Sequence, residues 1–409
     1  MRPLRDKRIL LGVGGSIAAY KACELARALM REGAIVTVAP TRSATRFVGP
    51  LTFEGLTGRP CLVDVLDTEE GQIPHVEEAY RADLAVVAPA SANLLARMAQ
   101  GFADEALLAT LLSVRSPLLI APAMETRMWQ HPATQQNVEL LRSRGAIFVE
   151  PAKGALASGR DGEGRLAPVE DIVEACCRAL TEPDLERRHV LITAGPTAED
   201  LDPVRYLTNR SSGKMGFALA VAASRRGARV TLIHGPTTAP VPAAHGVDAI
   251  AVRSAADMHD AVMDRLQSAP VDVAILAAAV ADYRPAAVAA QKIKKTDVSF
   301  ALPLERTPDN LAAVGDLEER PLLVGFAAET QDLLENARLK LERKNCDVIC
   351  ANDVSVPGLG FDTPDNRLTL LLRGGTTIDL GQGSKVGLAH GVLNTVVELL
   401  RHRSRPAAR

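Results

Sequence analysis

Aromatic side chains are scarce in this sequence, and neither sign of charge is in clear excess. Phe, Tyr and Trp together make up 3% of the 409 residues. So few aromatic rings argue against a nucleic-acid binder that stacks bases on its surface. The 47 basic and 49 acidic residues nearly balance, whereas proteins that bind nucleic acid generally carry a basic excess. We therefore expect small-molecule substrates and no nucleic-acid partner.

Long apolar runs and closely paired cysteines are also lacking. No segment reaches the roughly twenty apolar residues that span a bilayer, and the basic residues 1–8 show no signal-peptide cleavage pattern. None of the six cysteines has the CxxC spacing of a metal site, and most lie in apolar helix or strand patterns. Because buried, reduced thiols are typical of cytoplasmic proteins, we expect a cytoplasmic enzyme without a membrane segment.

The most informative stretch, residues 202–216, gathers cations and hydroxyls directly before an apolar helix. Its polar residues are Arg205, Asn209, Arg210, Ser211, Ser212 and Lys214. A helix start presents N–H groups and the positive end of the helix dipole, which attract anions. An ordinary helix cap at Ser211 or Ser212 explains one serine, but it does not explain the cations. The stretch therefore predicts a site for an anionic substrate.

Two strand–loop–helix–strand units define the predicted organisation. The first starts with the apolar run 8–13, and the second starts with the apolar run 189–193. Each run is followed by a Gly-containing loop and a helical pattern, which indicates an α/β fold with two doubly wound Rossmann-like domains. The polar segment 181–188 contains a proline and is typical of a linker. We predict domains over residues 1–186 and 187–409.

The motifs, in this order, resemble those of the bifunctional coenzyme A biosynthesis family, in which phosphopantothenoylcysteine decarboxylase is joined to phosphopantothenate–cysteine ligase. Two segments look like its flavin-binding loops: Gly14-Gly15-Ser16-Ile17-Ala18-Ala19-Tyr20-Lys21 and Pro89-Ala90-Ser91-Ala92-Asn93. Three look like its ligase: Asp202 to Gly216, Ala277 to Tyr283, and Lys292-Ile293-Lys294-Lys295. The resemblance covers nearly the whole chain. It implies a flavodoxin-like flavoprotein domain followed by a ligase domain.

For the second half, the resemblance implies that CTP drives the joining of 4′-phosphopantothenate to cysteine through an acyl-cytidylate. Because both steps gather negative charge on phosphates, catalysis should rest on positioning and cations. Asn209 and Arg205 match residues tied to turnover of the acyl-cytidylate, and Lys292 matches a nucleotide lysine. Mg²⁺ should bridge the phosphates, and the sequence identifies no protein ligands to it.

The resemblance assigns further contacts in this half. Its nucleotide residues are Ala277, Ala279, Asp282, Pro308, Asp309, Asn310, Leu311, Phe326, Lys340 and Lys344, and its substrate residues are Ser212 and Lys214. From the residues alone, Lys340 and Lys344 share one helix face that fits ordinary solvation. Ala279 fits core packing equally well.

For the first half, the resemblance implies an oxidative decarboxylation assisted by FMN. The implied FMN contacts are Gly14, Gly15, Ser16, Ile17, Ser91 and Asn93, and Met124 is an implied substrate contact. His75 matches the family's histidine. Glu125 stands where the family has the asparagine of Pro-x-Met-Asn, and Ser158 stands where it has the cysteine of Leu-Ala-Cys-Gly.

These two departures leave two interpretations open. An ionised Glu125 would repel the substrate carboxylate unless it is protonated or bridged by a cation such as Arg127. Ser158 is a poor proton donor, because a hydroxyl is a far weaker acid than a thiol, whose free pKa is roughly 8.5. Either Glu125 serves as the acid with His75 as its partner, or the chain is a ligase with an FMN-binding scaffold. Because the flap glycines around Ser158 are retained, we favour the working variant.

The resemblance bears on two further properties. Some relatives of the flavin domain are non-enzymatic regulators, and the intact ligase motifs weigh against that class here. The resemblance also implies a homo-oligomer in which trimers of the flavin domain are joined by dimers of the ligase domain.

Overall fold

The computed structural model describes residues 4–65, 73–242, 246–294, 301–329, 332–353, 363 and 365–403. It divides the chain into two units, residues 2–181 and residues 182–409. The division falls within the segment 181–188 that the sequence indicates as a linker. The domain limits 1–186 and 187–409 stay predictions. We describe each unit by itself, as the N-terminal and the C-terminal unit.

The N-terminal unit is built on a parallel five-stranded sheet in the order β2-β1-β3-β4-β5. Its strands are β1 (Arg8–Val13), β2 (Ile35–Pro40), β3 (Leu84–Ala90), β4 (Leu118–Pro122) and β5 (Ile147–Phe148). Leu11 of the central strand β1 pairs with Val38 on one side and Val86 on the other. This order is that of flavodoxin-like folds, whose ligand site lies where the strand order reverses, between β1 and β3. The predicted doubly wound fold is confirmed for this unit.

Helices cover the sheet of the N-terminal unit. They are α1 (Lys21–Arg31), α2 (Pro50–Thr57), α3 (Pro74–Arg81), α4 (Ala92–Gln100), α5 (Ala106–Ser113), α6 (Thr126–Trp129), α7 (Pro132–Ser143) and α8 (Val169–Ala179). Short 3-10 helices span Ile17–Tyr20 and Ala44–Arg46, and a hairpin is formed by β6 (Ala152–Ala155) and β7 (Asp161–Arg165). Helix α1 buries Leu25 and Leu29, which recur at helical spacing on one face.

The C-terminal unit contains an eight-stranded sheet in the order β12-β11-β8-β13-β16-β17-β18-β19. The strands of the unit are β8 (His189–Ala194), β9 (Ala198–Asp200), β10 (Tyr206–Thr208), β11 (Arg229–His234), β12 (Val247–Ala251), β13 (Val273–Leu276), β14 (Tyr283–Pro285), β15 (Leu304–Arg306), β16 (Leu322–Glu329), β17 (Val348–Asp353), β18 (Asp365–Leu372) and β19 (Thr377–Ser384). Six strands run parallel, and β18 pairs antiparallel with β17 and β19. Two small ribbons pair β9 with β10 and β14 with β15.

Helices pack on the large sheet of the C-terminal unit. They are α9 (Lys214–Arg225), α10 (Ala255–Ser268), α11 (Asn310–Gly315), α12 (Leu333–Arg343) and α13 (Lys385–Arg403). The strand order reverses between β8 and β13, and the loop before α9 follows β8. Helix α9 lies close to β8 because Gly216 has no Cβ; a Cβ there would be 2.5 Å from the Cβ of Ala194. No helix in the described part of the chain combines the length and hydropathy needed to cross a membrane.

Candidate active sites

The start of helix α9 is formed by glycine and not by a serine cap. Gly213 is the N-cap, in the left-handed conformation with φ of 75°, and no side chain caps the helix. The alternative interpretation of this stretch, an ordinary helix cap at Ser211 or Ser212, is therefore wrong. Ser211 Oγ accepts the N–H of Gly213 at 3.4 Å, and Ser212 is only 5% exposed. Because glycine tolerates this conformation, the chain turns into α9 without engaging either hydroxyl as its cap.

Asn209 joins the two loops that flank the reversal of strand order. Its Nδ2 donates to the carbonyl of Ala279 at 3.3 Å and to that of Val280 at 3.0 Å. The amide therefore holds the loop after β13 against the segment before α9. To donate to a developing oxyanion, Asn209 must release one of these two carbonyls.

Arg205 forms a clasp with Asp202 and the segment that contains Lys292. Its guanidinium binds one carboxylate oxygen of Asp202 through Nε at 3.0 Å and Nη2 at 2.6 Å, and donates to the carbonyl of Ile293 at 2.9 Å. The hydrogen bond from Arg205 holds the pKa of Asp202 well below its usual range, and the N–H groups of Val204 and Ile293 act in the same direction. The clasp therefore fixes the chain next to Lys292.

Two adjoining clefts open at the carboxyl edge of the eight-stranded sheet. The first, the acyl cleft, has a volume of about 390 Å³. Predicted residues that line it are Asn209, Ser212, Lys214, Ala277, Ala279, Asp282, Phe326 and Lys340. The second, the nucleotide cleft, has a volume of about 750 Å³. Predicted residues that line it are Asp282, Pro308, Asp309, Asn310, Leu311, Phe326, Lys340 and Lys344.

The two clefts share Asp282, Phe326 and Lys340, so one elongated ligand can extend through both. Two of the predicted ligase residues, Arg205 and Lys292, line neither cleft. Lys292 is exposed beside the clasp, and Lys295 of the same motif lies outside the described residues. The structure thus brings most predicted ligase residues together and places these two cations apart from them.

Lysines on one face of α12 and at its end meet the nucleotide cleft. Lys340 Nζ donates to the carbonyl of Phe326 at 2.8 Å, and Lys344 Nζ forms an ion pair with Asp309. Asp309 also accepts the N–H of Ala312 at 3.0 Å as the cap of α11. Burial raises the pKa of Asp309, but the hydrogen bonds from Lys344 and Ala312 outweigh it, so the pKa lies below its usual value. The ion pair therefore links the start of α11 to the end of α12.

Sequence reasoning missed three buried polar residues of the acyl cleft. Asn352, Asn366 and Lys385 line the cleft and are 8%, 2% and 5% exposed. Asn352 carries a usable signal, because a polar residue ends the apolar strand β17 at the ligand-facing edge. Asn366 and Lys385 carry none, since neither belongs to a motif. Within the described residues, no group of three or more His, Cys, Asp or Glu is placed to hold a metal ion.

In the N-terminal unit, Gly14 and Gly15 form a narrow cradle after β1. A Cβ on Gly14 would lie 2.5 Å from the carbonyl oxygen of Pro89, and one on Gly15 would lie 2.4 Å from the Cβ of Ser43. A side chain at either position would collide with the end of β3 or the loop after β2, so these segments pack directly on the loop after β1. The two glycines therefore bring three segments together at the reversal of strand order, where flavodoxin-like sheets bind their ligand.

Serines begin the helical segments around this cradle. Ser16 Oγ accepts the N–H of Ala18 at 3.2 Å, and Ser91 Oγ accepts the N–H of Leu94 at 3.3 Å. Ser91 therefore caps α4, whose start offers N–H groups to an anion such as a phosphate. Asn93 lies exposed in the first turn of α4. These residues fit the phosphate end of FMN.

A third cleft, the flap cleft, has a volume of about 390 Å³ and lies beside the cradle. Predicted residues that line it are Ser16, Ile17, Met124, Glu125 and Ser158. The carboxylate of Glu125 caps α6 and accepts the backbone N–H of Arg127 at 2.6 Å. Arg127 therefore meets Glu125 through its backbone amide.

The hairpin β6–β7, the flap, carries Ser158 in its turn. A Cβ on Gly164 would lie 2.2 Å from the carbonyl oxygen of Met124, and one on Gly162 would lie 2.2 Å from Thr126 Oγ1. These glycines let β7 lie directly against the segment around Glu125. Ser158 and Glu125, the two departures from the family pattern, therefore line the same cleft.

His75 lies in the first turn of α3, outside the flap cleft lining. Its Nδ1 is buried, and it has no hydrogen-bond partner among the residues that the structure describes. The structure therefore does not pair His75 with Glu125. Gly14, Gly15, Ser91 and Asn93 are likewise outside this lining and belong to the cradle beside it.

In comparisons with known proteins, a different family model matches each of the two units. A family model described as "Flavoprotein" matches residues 1–181, and one described as "DNA/pantothenate metabolism flavoprotein C-terminal domain" matches residues 185–400. The chain is 48% identical to "Coenzyme A biosynthesis bifunctional protein CoaBC" of Vibrio cholerae, over 97% of this chain and 100% of that protein. It is 44% identical to the Bacillus subtilis protein of the same name, over 97% of this chain and 98% of that protein.

A solved structure of the "C-terminal Domain of Coenzyme A biosynthesis bifunctional protein CoaBC" is 40% identical. It covers 54% of this chain and 100% of that chain, with a TM-score of 0.46. Because the curated relatives match over nearly their whole length at more than 30% identity, the chain belongs to the family of bifunctional coenzyme A biosynthesis proteins.

Proposed function

We propose that this chain catalyses two consecutive steps of coenzyme A biosynthesis. Its C-terminal unit joins 4′-phosphopantothenate to cysteine with CTP, and its N-terminal unit decarboxylates phosphopantothenoylcysteine to 4′-phosphopantetheine with FMN. The observation that carries the proposal is the full-length similarity to relatives named as bifunctional coenzyme A proteins, with a separate cleft in each unit.

In the proposed ligase reaction, the substrate carboxylate attacks the α-phosphorus of CTP and pyrophosphate leaves. The cysteine amine then attacks the acyl carbon, CMP leaves, and the amine loses a proton. Lys340 faces both clefts, and Lys344 faces the nucleotide cleft, so both stand where phosphate charge gathers. Magnesium would be held by oxygen atoms of the triphosphate and would neutralise part of its charge.

Three residues position the reacting groups in this proposal. Asn209 holds the loop after β13 at the acyl group, through the carbonyls of Ala279 and Val280. Arg205 acts through Asp202, by fixing the segment next to Lys292. Lys292 reaches the nucleotide from that exposed segment.

The proposed decarboxylase site uses the cradle and the flap cleft. FMN, when bound, would take two electrons from the cysteine moiety and return them after carbon dioxide has left. Gly14 and Gly15 let the loop after β1 pack closely beside the proposed cofactor site, and Ser91 presents the start of α4 to the phosphate of FMN. Ser158 closes over the substrate from the flap, and Glu125 orients it from the start of α6.

A second candidate function is a ligase that carries an FMN-binding scaffold. It is favoured by one observation, the carboxylate of Glu125, which already caps α6 through the N–H of Arg127. Because the side chain of Glu125 is engaged as a helix cap, it is a poor partner for a substrate carboxylate.

One incubation separates the two candidates. The purified chain is mixed with 4′-phosphopantothenate, cysteine, CTP and Mg²⁺, and the products are followed by mass spectrometry. Formation of 4′-phosphopantetheine supports both activities. Accumulation of phosphopantothenoylcysteine alone supports the ligase with a scaffold, and no product at all rejects both.

A Ser158→Ala variant refines this test. In a working decarboxylase it should slow 4′-phosphopantetheine formation while the ligase rate is unchanged. The visible flavin spectrum serves as the control that the N-terminal unit is folded and loaded with FMN.

Three further properties belong to the same proposal. We propose a cytoplasmic enzyme and an assembly of flavin-domain trimers joined by ligase-domain dimers. Light scattering tests the assembly, with a monomer as the contradicting result. Omitting Mg²⁺ and adding EDTA should abolish ligation, and replacing CTP with ATP should lower it.

A further inference from the structure

The side-chain amide of Asn310 is buried at the wall of the nucleotide cleft. Asn310 is the first residue of α11, directly after the helix cap Asp309, and it lines the cleft. The residue is 6% exposed. Its Nδ2 is buried and has no hydrogen-bond partner within the described part of the chain. The cleft wall therefore contains an N–H donor that the described residues leave unpaired.

A histidine on the neighbouring helix α10 holds the other end of this amide. His259 is half-buried, and its Nδ1 lies 3.0 Å from Oδ1 of Asn310. An amide oxygen can only accept, so this contact is a hydrogen bond when His259 carries its proton on Nδ1. That proton fixes Oδ1 towards α10 and leaves Nδ2 for another acceptor. His259 itself lines neither cleft of this unit.

The anchored amide is prepared for a ligand. Buried donors in native proteins are almost always paired, so one without a partner calls for an explanation. Asn310 cannot turn its amide round to pair Nδ2 without giving up the hydrogen bond to His259. Because the side chain is already held in one orientation, binding of an acceptor costs little further side-chain entropy.

The position of Asn310 in the cleft suits an uncharged acceptor better than a phosphate. The cations Lys340, Arg343 and Lys344 of the lining all come from α12 and its end. On the α11 side, the lining consists of the carboxylate of Asp309, the neutral amide of Asn310 and an apolar side chain at residue 311. A carboxylate repels phosphate, so we expect the phosphates towards α12 and the nucleoside towards α11.

We infer that His259 is a positioning residue for nucleotide recognition, which anchors Asn310 so that Nδ2 donates to an uncharged oxygen of the nucleoside. The inference rests on the proposed ligase function for the identity of the nucleotide. The family resemblance points to Asn310 as a nucleotide residue, whereas His259 belongs to none of its motifs. Two oxygens share the required chemistry, a ribose hydroxyl and a carbonyl of the base.

The test uses three substitutions in the full-length protein. His259→Leu removes the donor to Asn310 without adding a charge. His259→Asn restores a donor, because the amide nitrogen of asparagine lies as many bonds from the backbone as Nδ1 of histidine. Asn310→Asp keeps an acceptor for His259 and removes the Nδ2 donor. Gln267→Leu is the matched control, because Gln267 is an exposed polar residue of α10 that lines neither cleft.

The first measurement is calorimetric titration with CTP and Mg²⁺, which needs no turnover. Loss of one hydrogen bond should weaken CTP binding about threefold to tenfold in His259→Leu and in Asn310→Asp. His259→Asn should recover most of the affinity, and Gln267→Leu should keep all of it. Binding of inorganic triphosphate should be the same in His259→Leu and in the unmodified chain, because the amide serves the nucleoside.

Two analogues identify the acceptor oxygen. The same titrations are repeated with 2′-deoxy-CTP and 3′-deoxy-CTP. If His259→Leu and the unmodified chain bind one of these analogues equally well, the missing ribose hydroxyl is the acceptor. If the loss in His259→Leu persists with both analogues, the acceptor is a carbonyl of the base. Either result supports the inference.

Steady-state kinetics separates positioning from a general structural role. In His259→Leu the KM for CTP should rise by the same factor as the dissociation constant, while kcat and the KM for cysteine stay unchanged. This pattern is expected when a group contributes equally to binding of the substrate and of the transition state. A variant that is merely less stable would show a lower active fraction, and His259→Asn would not rescue its affinity for CTP.

The inference is overturned if folded His259→Leu binds CTP as tightly as Gln267→Leu, or if its binding of inorganic triphosphate falls by the same factor. If His259→Leu does not fold, His259→Asp decides in its place, since a carboxylate can only accept and turns the amide round; Gln267→Glu is then the control. An unmodified chain that does not bind CTP would reject this inference together with the proposed nucleotide. CTP binding that none of the substitutions changes would reject the inference and leave the proposed function intact.

Discussion

The ion pair between Lys344 and Asp309 allows the nucleotide cleft to be tested with little change to the fold. Lys344→Met keeps the length and apolar stem of the side chain and removes its charge. Lys344 is 12% exposed and Asp309 is 49% exposed, so water screens one side of the pair. Pairs of this exposure contribute about 0.5 kcal/mol to stability. We therefore expect a small loss in the free energy of unfolding.

The effect on ligation should be much larger than the effect on stability. In the proposed reaction, Lys344 faces a triphosphate inside the nucleotide cleft. Water screens the interaction between lysine and phosphate less there than it does at the protein surface. Loss of a charged hydrogen bond costs roughly 1.5–3 kcal/mol, which is about a tenfold to hundredfold fall in kcat/KM for CTP. The fall should appear at saturating cysteine, where binding of the second substrate does not limit the rate.

Asp309→Asn is the informative partner of this variant. Asparagine caps a helix as well as aspartate does, so α11 keeps the hydrogen bond to the N–H of Ala312. The substitution removes the carboxylate that competes with phosphate for Lys344. We expect kcat/KM for CTP to stay the same or rise a few-fold, with a stability loss below about 1 kcal/mol.

The assay is steady-state pyrophosphate release at varied CTP, with chemical unfolding of the same proteins. Arg338→Met is the control, because it removes an exposed cation from α12 outside both clefts. The double variant should show a coupling energy of about 0.5 kcal/mol between positions 309 and 344 in stability. A Lys344→Met protein with unchanged kcat/KM for CTP would refute the role given to this lysine.

Two predictions concern stability. Gly216→Ala should lower the free energy of unfolding by about 1–2 kcal/mol, because the clash with Ala194 outweighs the gain in helix propensity. The control Gly55→Ala lies in open space on α2 and should raise the free energy of unfolding by up to about 1 kcal/mol. Equal changes in the two variants would contradict the packing argument. Burial, with Arg225 and Arg226 nearby, lowers the pKa of His390 to about 4. Because this pKa lies below the usual 6.5, the contribution of neutral His390 to stability is complete above pH 6.5. It is lost as the pH falls towards 4, by up to about 1.4 kcal/mol per pH unit. In a plot of the free energy of unfolding against pH, His390→Asn should therefore fall less steeply between pH 6.5 and 5 than the unmodified chain, and parallel plots would exclude this role.

Local pattern in the sequence was sufficient for the architecture. Apolar runs separated by Gly-containing loops and helical patterns predict parallel strands, since both faces of such a sheet are buried. The loops at Gly14 and before α9 could be placed at the ligand-facing edge, because that edge always follows the carboxyl ends of the strands. The same motifs, taken in order, identified the family.

The start of α9 shows where local pattern fails. Ser211 and Ser212 have the composition of a cap, yet Gly213 takes that position in the left-handed conformation. The choice depends on how closely the loop approaches Thr237, whose Cγ2 would lie 2.9 Å from a Cβ on Gly213. Spacing along the chain contains no information on that approach.

The direction of charged side chains was also decided by tertiary structure. Arg205 matches a residue tied to turnover of the acyl-cytidylate, but only the fold shows that its guanidinium binds the buried Asp202 and the carbonyl of Ile293. A buried carboxylate needs a partner more than an exposed one does, and burial is known only once the chain has folded. Likewise, the residue type at position 125 indicated a changed site, but only the fold showed its carboxylate acting as a helix cap.

The sequence alone determined two doubly wound units, their glycine and serine loops, and the family to which the chain belongs. These features are local, because each follows from periodicity or from a short motif. The tertiary structure decided which side chains share a cleft. Asn352, Asn366 and Lys385 come from three separate elements, and only the pairing of β17, β18 and β19 brings them to one edge of the sheet.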